Sequence, residues 1–179
     1  MMSANEEYEV TVLQLLHSSD PILHEGTPVF DFDNPSEDPI QLAKDLAETM
    51  IFNHGLGLAA PQVGVAVRAI AITGEPIYVM FNPMVVDTSS EMCYIKEGCL
   101  SYPGLTIKIR RPRMIKVRFT MPNGQTETMK FDGLSARCIL HEIDHLDGIC
   151  HIDRATYYHR QQALKEQKAF SEIMKRSKK

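Results

Sequence analysis

The segment His141-Glu142-Ile143-Asp144-His145 constrains this chain more than any other stretch. It lies within an apolar-periodic run, about Leu134 to Leu146, that reads as a helix closed by Gly148. A spacing of i, i+4 puts both imidazoles on one helix face, where they can grip a single metal ion, and Glu142 between them can reach a water at that ion. Two histidines and an acid also recur on amphipathic helices without any metal, so the rest of the chain has to supply the site. A hydrolytic metal usually takes three protein ligands and keeps one position open. The fold must therefore bring a third donor from elsewhere onto a central helix.

Two candidates exist for that donor. His151 completes the longer pattern HExxHxxGxxH of the metzincin proteases, with Gly148 turning the chain. Those proteases also need a methionine turn beneath the metal, yet only 28 residues follow His151 and they read as a basic helix with Met174 near its end. The other candidate is Cys99, in Glu97-Gly98-Cys99-Leu100-Ser101, a thiolate that a strand facing the helix could deliver. A non-catalytic structural zinc site is a further class, but such sites are normally closed by four protein ligands and would leave Glu142 without a role.

With 179 residues, the chain is expected to form one domain with a sizeable core. Hydrophobic residues at 44% and charged residues at 23% exclude wholesale disorder, and a net charge of -4 excludes a global electrostatic trap for DNA or anionic lipid. The N-terminal stretch lacks the basic and apolar regions of a secretory signal, and no run is apolar enough to span a membrane, so a cytoplasmic location is expected. Cys93, Cys99, Cys138 and Cys150 show no CxxC spacing; apart from Cys99, they read as small apolar fillers or half-buried strand residues.

Asp38 to His54 predicts a helix, with Asp38 as N-cap, Pro39 in the first turn, an apolar stripe (Leu42, Ala43, Leu46, Ala47, Met50, Ile51) and Gly55 as the stop. Short β-rich runs follow at 66–73, 77–81, 105–109, 114–119 and 126–131, with Asn123-Gly124 as a hairpin turn. A last helix is expected over about Thr156 to Lys175. Helix, strands, helix, helix suggests an α+β domain, with antiparallel or mixed sheets around a central helix and a C-terminal helix.

Upstream of both motifs lies Gly55-Leu56-Gly57-Leu58-Ala59-Ala60-Pro61-Gln62-Val63-Gly64, a glycine-rich loop whose small residues let backbone pass close to a ligand. The ordered trio GLGLAAPQ, EGCLS and HEIDHLDG resembles the bacterial-type, iron-dependent peptide deformylases over roughly residues 10–155, within a single domain spanning 1–179. That resemblance implies a metallohydrolase that removes the formyl group from the N-terminal formylmethionine of nascent polypeptides. It implies Cys99, His141 and His145 as ligands of one divalent metal, Fe(II) in the cell, with zinc, nickel or cobalt able to occupy the same site. It implies Glu142 as general base and acid, and the Gln62 side chain with the Leu100 backbone N–H as oxyanion donors. Gly57 and Gly98 would offer backbone to an extended substrate, while Leu134 and Cys138 would line the methionine pocket. Leu140 stands where the family often has Gln, and Arg137 is expected near the pocket rim. His151 then reads as a partly exposed residue leaving the helix. The segment 156–179 carries seven basic residues against Glu166 and Glu172, a local charge of about +5, which suits either a solvated helix or docking to the ribosome.

Overall fold

The structure, a computed structural model, describes residues 10–177. Asp38 caps the first helix, α1 (Pro39–Phe52), its Oδ1 accepting from the N–H groups of Ile40 and Gln41 at 2.8 and 2.9 Å. The helix stops at Asn53, whose side chain donates to Thr49 O, and His54 then takes a left-handed turn at φ 54°. Leu42, Ala43, Leu46 and Met50 are buried as expected, but Ile51 points outward because it falls off the stripe facing the sheet.

Seven strands follow: β1 (Gly57–Ala59), β2 (Ala69–Ile72), β3 (Tyr78–Thr88), β4 (Met92–Cys99), β5 (Tyr102–Pro112), β6 (Met114–Thr120) and β7 (Thr126–Asp132). They form a five-stranded sheet in the order β1-β2-β3-β6-β7 and a two-stranded sheet of β4 and β5. All of these pairings are antiparallel, so the mixed alternative falls away. The hairpin at Asn123-Gly124 forms, with Thr120 opposite Thr126 and Gly124 at φ 83°. Two strands differ from expectation. β1 is a short strand inside the anticipated glycine-rich loop, and β4 lacks apolar alternation because one of its faces lies open to solvent.

The helices that follow are α2 (Gly133–Leu146), the four-residue α3 (His151–Arg154) and α4 (Tyr157–Ser177). β2 is buried on both sides, and its period-two alternation sorts the residues between two cores. Ile70 and Ile72 pack with Ile139, Ile143 and Leu146 of α2, while Ala69 and Ala71 pack with α1. Leu140 packs against the first of these cores. A third cluster joins Leu105, Ile107 and Ile109 of β5 to Ala163 of α4. The central helix is thus held between the large sheet and the β4–β5 hairpin.

Candidate metal centre

The end of β4 meets the inner face of α2 at a register shift between Gly98 and Cys99, and that irregularity turns Cys99 toward the helix. Cys99 Sγ lies 3.2 Å from His145 Nε2, and the donor atoms of Cys99, His141 and His145 all fall within 4.8 Å of one another. His141 Nδ1 bonds to Glu97 Oε2 at 3.0 Å, which leaves its other ring nitrogen for the shared centre. Burial holds His145 well below its usual pKa, so the ring stays neutral and one of its nitrogens keeps a lone pair for a metal. Burial also opposes charge on His141, yet hydrogen bonds with Cys99 and Glu97 raise it to about 10, so a metal ion at the shared centre would take the place of a ring proton. A half-buried cysteine sulfur and two buried imidazoles that converge in this way fit a divalent metal ion.

Glu142 is buried beside these donors, with Oε2 unpaired, and burial first, then the nearby Glu97 carboxylate, raise it to about 7 against the pull of His141. A Cβ on Gly57 would sit 2.5 Å from Glu142 Oε1, so only glycine leaves room for the carboxylate there. Gln62, on the short 3-10 turn after β1, has its orientation set by Ala59, whose N–H donates to Oε1 at 2.9 Å. Its amide nitrogen therefore points inward, 3.5 Å from Cys99 Sγ and 3.3 Å from Ser101 Oγ.

A cavity of about 460 Å³ opens over this cluster, lined by Gly57, Gln62, Gly98, Cys99, Leu100, Leu134, Cys138, His141 and Glu142 among others. His145 lies behind its wall. Leu134 is 56% exposed and stands at the mouth, whereas Cys138 is half-buried deeper in. The Cys138 thiol is pushed up to about 12, by burial first and then by Glu142 and Glu97.

Two expectations need correction. Arg137 does line the cavity, but from within its wall rather than at an exposed rim. It is buried, pairs with Glu97 and donates to the carbonyls of Cys93 and Ile109, because a guanidinium in that interior has to be matched by acceptors. His151 is fully buried at the start of α3, not partly exposed. It meets Tyr102 edge-on at 5.0 Å and His141 at a tilt at 5.7 Å between ring centroids, faces Leu105 O, and contributes no donor to the converging trio.

Sequence reasoning missed the support beneath these residues. Glu97 accepts from Nε and Nη2 of Arg111, at 2.7 and 2.9 Å, and also bonds to Arg137 and His141. Burial works against the Glu97 carboxylate, but His141 and Arg111 together lower it to about 2. Arg111 continues to Asp144 at 2.9 Å, which Arg154 also holds. A usable signal was the two-residue spacing of Glu97 and Cys99 on one strand; nothing local marks Arg111.

A family profile described as polypeptide deformylase matches residues 12–161. The chain belongs to the polypeptide deformylase family. It is similar to Peptide deformylase 1 of Nostoc sp., at 37% identity over 148 residues, covering 79% of this chain and 78% of that one. Among solved structures, a Synechococcus elongatus peptide deformylase in complex with actinonin superposes with a TM-score of 0.81 at 32% identity, covering 92% of this chain and 94% of that one. An Acinetobacter baumannii class I type b peptide deformylase with Met-Ala-Ser bound gives 0.76 at 32% identity, covering 82% and 99%. As a member of this family the chain is a deformylase, and its fold is the deformylase fold.

Proposed function

We propose that this deformylase removes the formyl group from the N-terminal formylmethionine of nascent polypeptides, as a single 179-residue domain with its core at about 10–155. The observation that carries the reading is the convergence of Cys99, His141 and His145 beside Glu142 and Gln62 in one cavity. Cys99, His141 and His145 would hold one divalent ion, Fe(II) in the cell, with zinc, nickel or cobalt accepted by the same donors. When bound, that ion would supply Lewis acidity for activating water and polarising a carbonyl.

The residues do the rest. Glu142 takes the proton of the attacking water at its carboxylate and hands it to the departing α-amine. Gln62 Nε2–H and the Leu100 N–H donate to the formyl oxygen as negative charge builds on it, and the Ala59 bond to Oε1 keeps the Gln62 amide from turning away. β1 is an edge strand with one free side, so an extended peptide can add beside Gly57, with Gly98 across the gap. The methionine side chain enters the apolar part of the cavity, with Cys138 inside it and Leu134 at its mouth. The related enzyme solved with Met-Ala-Ser supports a tripeptide of that kind as substrate frame.

The basic α4 suggests ribosome docking, which fits an enzyme that acts on newly made N-termini in the cytoplasm. Arg160, Lys165 and Lys168 are exposed on it, while Lys178 and Lys179 lie outside the described residues.

The test is formate release from formyl-Met-Ala-Ser by anaerobically purified protein loaded with nickel or iron. Formate from the wild type, none from Glu142→Ala with its metal retained, and loss of metal from Cys99→Ala is the expected set. Full activity in Glu142→Ala would remove the proposed base.

A further inference from the structure

A second cluster of metal-binding groups lies outside the catalytic cavity and shares no residue with it. His24, Cys150 and Asp153 bring one donor atom each within 4.8 Å of one another. They come from two distant stretches: His24 closes a short 3-10 turn at Pro21–His24, Cys150 precedes α3, and Asp153 lies within α3. The geometry points to a zinc-type divalent-metal site formed by His24, Cys150 and Asp153, which staples the N-terminal turn to the α2–α3 junction.

Each side chain is already held. His24 Nε2 lies 2.9 Å from Ser18 O, and the tautomer that donates there leaves Nδ1 with its lone pair, the usual arrangement for a metal-binding imidazole. One carboxylate oxygen of Asp153 accepts the Cys150 N–H at 3.1 Å, which orients the carboxylate and leaves the other oxygen free. Cys150 is buried, and its thiol donates to Leu23 O at 3.7 Å. A thiolate, a carboxylate and a neutral imidazole around a doubly charged ion sum to zero charge, which suits a half-covered site.

A zinc ion about 2.0–2.3 Å from each donor needs those donors roughly 3.5 Å apart. The exposed His24 and Asp153 can close that gap by small rotations. A water would take the fourth position, on the open side, and ligation would release the Cys150 proton to solvent. Imidazole with thiolate favours zinc over magnesium or calcium.

The backbone at this joint is already tight. Gly26 bridges to Asp147, the Thr27 N–H donates to Leu146 O at 2.8 Å, and a Cβ on Gly148 would meet the His24 and Glu25 backbone at 2.8 Å. An ion here would therefore lock a contact between segments more than a hundred residues apart, and so stabilise the fold without touching the reaction.

The experiment is to saturate the full chain with zinc, desalt it, and count zinc per chain in the wild type, His24→Ala and Asp153→Asn. Both positions are exposed, so folding should survive, and circular dichroism checks that. Each variant is expected to hold one zinc fewer than the wild type and to lose the rise in Tm that the extra zinc produces, with formate release unchanged. The readout is a difference of one ion, so it does not depend on whether the Cys99 site binds zinc. Equal zinc content in all three proteins overturns the proposal.

Discussion

Gly57 and Glu97 set where the side chains of Glu142 and His141 stand. Adding a methyl group at Gly57 places carbon 2.5 Å from Glu142 Oε1, and the carboxylate must move to relieve the contact. Gly57→Ala should therefore fold and bind metal normally but lose about a hundredfold in kcat, the scale on which misplacing a reacting group by about an ångström acts; an unchanged kcat would show that Glu142 has slack. Glu97 pairs with two buried arginines and orients His141. Glu97→Ala takes away the carboxylate that faces Arg137 and leaves Arg111 with Asp144 alone, with an expected loss of about 3–5 kcal/mol in chemical denaturation. In a metal titration the same variant should bind about 10- to 100-fold more weakly, as follows when the support of a ligating histidine is removed. His151→Phe should keep its full metal content, because His151 contributes no donor to the trio; loss of metal in that variant would return the third-ligand role to it. The proposed ligands and base were legible as residue types at fixed spacing. Arg111 and Arg137 were not, because their partners lie across strands and helices that no local pattern links.

At the level of elements, sequence signals worked where an element carries its own punctuation. Asp38 and Pro39 mark the start of α1, and Asp38→Ala should cost about 1 kcal/mol because two N–H groups lose their acceptor. A thermal melt measures it, and no change would mean water replaces the cap freely. The hairpin at Asn123-Gly124 was equally plain. β4 was not, since strand pairing with β5 rather than side-chain alternation defines it. α3 is too short to show a helical period. Removing α4 altogether would expose Leu105, Ile107 and Ile109, against which Ala163 packs, so truncation cannot separate docking from folding.

At the scale of the whole molecule, charge reversal on α4 is the cleaner probe. Lys165→Glu with Lys168→Glu leaves the packed face intact and should weaken co-sedimentation with ribosomes at low salt, with formate release from a free peptide unaltered. Undiminished binding would assign α4 to packing alone. Among the described residues no helix is long and apolar enough to cross a membrane. The sequence by itself determined the chemistry that is available: a thiolate, two imidazoles, a carboxylate and an amide, each in a short motif whose spacing is local. Only the tertiary structure decided how these meet. The end of β4 turns Cys99 onto α2, burial turns His151 away, and Glu97 becomes the hub that holds His141, Arg111 and Arg137. Those outcomes depend on which apolar faces pack together and on how buried charges find partners, and both are properties of the assembled fold.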